Sequence, residues 1–127
     1  MKRVLNLTAA VFLTLTMSAL AAEDHVHKGK RGGLFAESGH HHLELIAKDG
    51  SLELYVEGED GKPEDIVEAK ATATVLSDGK KEEIKLSVDA GNFLKGSGTF
   101  KAAKGTTIIV TLTMPGHKPE QARFKLD

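Results

Sequence analysis

The chain has 127 residues, a formal charge of −1, six histidines and no cysteine. This balance gives no general pull on nucleic acid or anionic membranes. The missing thiols remove disulfide scaffolds, thiol redox chemistry, iron–sulfur clusters and thiolate zinc sites, and the length fits one domain.

Residues 1–21 read as a signal peptide. Lys2 and Arg3 form a basic start, Val4 to Leu20 is mostly apolar, and Ala19-Leu20-Ala21 has the small-x-small form of a cleavage site. Thr8, Thr14, Thr16 and Ser18 interrupt the apolar stretch, and no second run approaches the ~20 residues needed to span a bilayer. The expected product is exported, soluble and without stable membrane insertion, and periplasmic if the source is a Gram-negative bacterium. Cleavage after Ala22 would put His25 third in the chain, where amine, amides and imidazole can wrap a square-planar Cu(II) or Ni(II). Leu20 is a poorer −3 residue than Ala19, which favours cleavage after Ala21.

Residues 22–33 read as a flexible His-containing tail. Glu23, Asp24, His25, His27, Lys28, Lys30 and Arg31 are polar, and Gly29, Gly32 and Gly33 break regularity. Such a segment has little apolar surface to offset its ordering entropy.

Residues 34–127 read as the folded domain, with period-2 alternation from Leu34 onward. Apolar positions recur at Leu43 and Leu45, at Leu52, Leu54 and Val56, and at Ala69, Ala71, Ala73 and Val75. They recur again at Ile84, Leu86 and Val88, at Ile108, Val110, Leu112 and Met114, and at Ala122, Phe124 and Leu126. Asp49-Gly50 is a hairpin signal, and Asp60-Gly61, Asp78-Gly79, Gly91-Asn92 and Pro115-Gly116 mark further turns. The stretch from Asn92 to Gly105 is rich in Gly, Lys and Ser, with one irregular strand expected around Thr99 to Ala102. The pattern predicts an all-β fold: an antiparallel β-sandwich of about seven short strands, immunoglobulin-like in general architecture.

The histidines carry the chemical signal. His25 and His27 lie in the tail, His40, His41 and His42 run together at a strand start, and His117 sits in the last turn. Neutral imidazole suits zinc, copper and nickel. In an extended chain His25 and His27 share a side, as do His40, His42 and then Glu44, while His41 is in phase with Leu43 and Leu45 and points to the interior or its rim. Four imidazoles, or three with the carboxylate of Glu37 or Glu44, could close a tetrahedral site. The plainer reading is a solvated strand end and an unordered tail. Met114 beside His117 offers a thioether and an imidazole that could hold Cu(I) or Ag(I), but packing for Met114 and solvation for His117 are the favoured readings. Catalysis has little support: histidines beside Ser38 in sequence prove no triad geometry, and Gly32-Gly33 is not a phosphate loop.

Gly32-Gly33-Leu34, Gly39-His40-His41-His42-Leu43-Glu44-Leu45, Leu52-Glu53-Leu54-Tyr55-Val56 and Asp60-Gly61-Lys62-Pro63 occur in a familiar order. Over roughly residues 32–96 the chain resembles small exported β-domains, found alone or at the N-terminus of the periplasmic adaptor (membrane-fusion) subunits of heavy-metal efflux pumps. In those, a His-containing segment precedes a Gly-Gly turn and a strand bearing His-x-x-Glu-Leu or a close variant. The resemblance implies a periplasmic role in metal handling, with an efflux-pump component of the envelope as a partner. His40 to His42 and Glu44 match the strand motif, and His25 and His27 match the preceding segment. Members often carry Gly-Pro-His before the Gly-Gly pair, where this chain has Gly29-Lys30-Arg31. It also lacks the helical hairpin and barrel of an adaptor.

The expectation is a non-enzymatic periplasmic metal-binding protein, a carrier or buffer linked to heavy-metal efflux or homeostasis. His40 and His42 are the expected core ligands, with His25, His27 and Glu44 supplementary and His41 a further candidate. The cargo is a divalent transition metal, with Cu, Zn, Ni and Co all open. The rival expectation is an envelope protein-interaction module whose histidines are incidental. A third is pH sensing by the imidazoles.

Overall fold

The computed structural model describes residues 27–127. The predicted signal peptide and His25 lie outside them. The elements in chain order are β1 (His27–Lys28), β2 (Leu34–Ser38), β3 (His41–Lys48), β4 (Ser51–Gly58), β5 (Lys70–Ser77), β6 (Lys80–Asp89), β7 (Phe93–Ser97), β8 (Thr107–Thr113) and β9 (Glu120–Lys125). Among the described residues no helix is long and apolar enough to cross a membrane. The fold is all-β and antiparallel, as the alternation predicts.

Strand order is β1-β2-β3-β4-β7-β6-β5-β8-β9. Strands β5 to β8 form a Greek key, because β8 returns beside β5 after the consecutive β5, β6 and β7, the connection common to most sandwiches. The corner is made by β6. Its first part, Lys80 to Leu86, pairs with β5, and its end, Ser87 to Asp89, pairs with β7. A strand that changes partners along its length turns the sheet from one layer into the other. The continuous sheet curls until β2 meets β9, a nearly closed, sandwich-like shape around an aliphatic core.

The core follows the alternation closely. Leu43, Leu45, Leu52, Leu54, Val56, Ala71, Ala73, Val75, Ile84, Leu86, Ile108, Val110, Leu112, Met114, Ala122 and Phe124 are all buried. Val88 is 40 % exposed, against its in-phase expectation, because it lies on the part of β6 that has left β5. The strand in the Gly- and Lys-rich stretch is Phe93–Ser97 rather than one near Thr99. Its apolar residues Phe93 and Leu94 pair with Asp89 and Val88, while Phe100 packs into the core from the following loop. Ile66, 1 % exposed, anchors the long β4–β5 connection to the same core.

Residues 27–33 were expected to belong to the tail, yet His27–Lys28 add a strand to the sheet and residues 29–33 form a hydrogen-bonded turn. β1 pairs with β2, His27 opposite Phe35. The turn that follows is gripped by Glu44, whose carboxylate accepts from Arg31 N at 2.9 Å and from Gly33 N at 2.9 Å. The Arg31 guanidinium also donates to Glu44 at 3.2 Å and stacks 4.0 Å from the Tyr55 ring centroid. Lys30 adds an ion pair with Glu57 at 3.1 Å. At Gly29 any Cβ would collide with the Glu44 carboxylate. Composition alone underestimated this segment because its order comes from one buried acid on another strand.

Glu44→Ala should lower the unfolding free energy by roughly 1–3 kcal/mol, since it strands two backbone donors and a guanidinium. Glu44→Gln should fall between, because the amide keeps one acceptor. Urea denaturation measures both. A loss in Glu44→Ala of less than about 0.5 kcal/mol, the range of neutral surface changes, would show that the clamp does not hold the turn.

Candidate functional site

The histidine run divides at a turn. Gly39 takes φ 55°, a left-handed conformation suited to glycine, and a Cβ there would run into the Glu120 carboxylate. β3 begins only at His41, so His40 stays in the turn and the three rings go to different places.

His42 lies on the outer face. Its Nε2 is 3.6 Å from the Glu37 carboxylate, and its ring meets Phe35 edge-on at 5.4 Å. Glu44 is also on this face, but its oxygens are engaged by the turn at residues 31–33. His27 forms part of β1. His40 and His42, expected to act together, line different clefts.

His41 points inward, in phase with Leu43 and Leu45, and is 4 % exposed. Its Nδ1 lies 2.8 Å from Oε2 of Glu120 on β9. An ionised carboxylate only accepts, so Nδ1 donates, and in the neutral ring that tautomer leaves the lone pair on Nε2. No buried side-chain nitrogen or oxygen among the described residues lacks a hydrogen-bond partner. Among the described residues Nε2 has no hydrogen-bond partner, and the His41 ring lines a cleft. Beside it stands the ring of His117, 5.6 Å away between centroids and inclined by 80°.

That cleft has a volume of about 570 Å³ and is walled by His40, His41, Met114 and His117, with Glu64, Asp65 and Glu68 on its lip. The lip is held by buried Ile66 and by Asp65, which accepts from Val67 N at 3.0 Å. Acids around an open cleft favour cations. Met114 and His117 come together because His117 N donates to Met114 O at 3.1 Å, closing the Pro115-Gly116 turn. Two imidazoles sharing one metal at ~2.0–2.1 Å from each nitrogen place their centroids roughly 5–6 Å apart, so this pair is already near that spacing. A carboxylate on the remote nitrogen of a ligand histidine is also the usual orienting device. Among the described residues no group of three or more His, Asp or Glu side chains converges well enough to hold a metal ion. The donors present are two imidazoles, with a third imidazole and a thioether on the same walls.

Sequence reasoning set His117 aside as a solvated turn residue and did not reach Glu120. They lie 76 and 79 residues beyond His41, and only the sheet's curvature joins them. The one local hint was His41 in phase with the core, since a buried imidazole needs a polar partner.

The exposed His40 forms its own pair, Nδ1 to Glu59 Oε1 at 2.9 Å. The hydrogen bond to Glu59, reinforced by its charge, holds the His40 pKa above the ordinary imidazole value. A group raised in this way adds stability at mildly acidic pH, and that contribution is lost as pH rises through the raised value. NMR titration should show His40 protonated to higher pH than a free imidazole, with Glu59→Gln returning it toward the ordinary midpoint. A midpoint unmoved by Glu59→Gln would remove the pair as the cause.

Comparison with protein-family models, with curated proteins and with solved structures gave no match.

Proposed function

We propose that this domain is a non-catalytic, exported metal-binding protein, a carrier or buffer in heavy-metal homeostasis or efflux, and that its cargo enters the cleft between His41 and His117. One observation carries the reading: the Glu120–His41–His117 grouping, in which a carboxylate engages one nitrogen of a buried imidazole and a second imidazole lies 5.6 Å from that ring, centroid to centroid. A buried histidine that served packing alone would have no need of a second ring at ligand spacing. His40 is the supplementary donor, since it lines the same cleft on an exposed turn. His42 is a separate outer-face donor, Glu44 serves the fold, and His25 and His27 are additional donors on the N-terminal side. The open cleft suits a cargo that must be given up again, since a closed four-ligand cage retains its metal.

Competition against a chromophoric chelator, with tag-free protein, tests the assignment. His117→Ala should weaken the tightest site by about tenfold or more, and Glu120→Gln should weaken it less, by disturbing the His41 tautomer. His42→Ala should leave that site in place. Unchanged affinity and stoichiometry in a His41→Ala/His117→Ala protein that still folds would overturn the site. A partner complex that forms in chelator and survives loss of these histidines would favour the docking-module reading instead.

A further inference from the structure

We infer that the cleft is built for a soft monovalent cation, Cu(I) or Ag(I), held by His41 Nε2, His117 and the thioether of Met114. The inference rests on the metal-binding reading and goes beyond it, because that reading leaves the cargo open among divalent ions. The donor set decides. Borderline and hard divalent ions want four or more donors, usually with a carboxylate or a third imidazole among them. Here no third His, Asp or Glu converges with a pair of others among the described residues. The carboxylate nearest to His41 is already its hydrogen-bond partner. His40, Glu64, Asp65 and Glu68 also line the cleft without converging in this way, and beside His117 stands Met114, which lines both this cleft and the adjoining one.

A thioether is a poor ligand for zinc and a good one for Cu(I), and soft ligands select soft ions at low coordination number. Met114 is 5 % exposed, so its sulfur is shielded from bulk water while its side chain borders the opening. Three rotatable bonds let the sulfur turn toward the cleft without moving the backbone. The turn from Met114 to His117 is a closed unit, so both donors arrive on one rigid piece opposite His41. Two imidazoles and a thioether around one ion form a complete three-coordinate shell that needs no further group from the protein.

Ag(I) is the probe, because it cannot change oxidation state in the assay, with Zn(II) as the control. The full tag-free chain should bind one Ag(I) at a tight site, and Met114→Leu, a substitution that keeps core volume, should weaken that site at least about tenfold. Zn(II) binding should be unchanged. X-ray absorption of the Cu(I)-loaded protein should show sulfur beside nitrogen, and the sulfur should vanish in Met114→Leu. If that variant misfolds, the methionine methyl resonances of the unmutated protein decide, since Ag(I) addition must shift that of Met114. Nitrogen-only scattering, or a still Met114 methyl with Ag(I) bound, would overturn the inference. The metal-binding reading would survive that result if Zn(II) binding still depended on His41 and His117, and both would fall if it did not.

Discussion

The contact between Glu120 and His41 joins groups 79 residues apart at 2.8 Å, and the site's geometry depends on it. It crosses the seam where β2 and β3 approach β9. β2 and β9 are not neighbours in the hydrogen-bonded strand order, so side chains must hold this closure. Ser38 supplies a second tie, its hydroxyl donating to Gln121 O at 2.8 Å. A buried, charge-assisted hydrogen bond contributes about 1.5–3 kcal/mol, and removing one partner costs more because the other stays desolvated. The same constraint explains Gly39, whose missing side chain leaves room for the Glu120 carboxylate.

The domain uses two enclosed carboxylates in different ways. Glu44 is saturated: two backbone donors and a guanidinium take its oxygens and bind the turn at residues 29–33 to the sheet. Glu120 instead contacts one ring nitrogen and so polarises the other. Glu44 sits in the middle of β3 beneath the turn at residues 29–33, whereas Glu120 begins β9 at the seam. Only the second has an imidazole that passes its effect to an open cleft. This difference separates a carboxylate that serves folding from one that positions a proposed ligand, although a sequence reading places Glu44 nearer the histidines.

Most of the fold was legible because one face of nearly every strand is buried, and a period of two survives wherever that holds. Leu43 to Leu45, Leu52 to Val56 and Ile108 to Leu112 fall into place without tertiary information. Val88 did not, because β6 changes layers along its length, and no local pattern records such a corner. β7 was misplaced because Gly96 and Lys95 weaken its alternation, while Phe100, the apolar residue that suggested a strand, packs from a loop. At the site, the phase of His41 was legible but its partners were not. Assigning His40 and His42 to one face assumed that the strand already includes His40, and the Gly39–His40 turn removes that premise.

The proposed ligands come from opposite sides of the seam: His41 from the start of β3, and His117 with Met114 from the turn between β8 and β9. An ion shared between them would therefore act as a further tie across a junction that lacks a backbone ladder. Anything that binds the folded form alone stabilises it in proportion to the logarithm of its concentration over its dissociation constant. Here that free energy would fall on the least hydrogen-bonded junction of the sheet. Loading and closure would then be coupled: among the described residues the hydrogen bonds of Ser38 and Glu120 add to apolar packing at the seam of an empty domain, and the ion would add a further tie. Conversely, a partner that parted β9 from β2 would weaken the site by the same amount that the ion strengthens the seam, since the coupling is reciprocal. A carrier needs such a route for release, and a seam without a backbone ladder offers one that a fully laddered barrel would not.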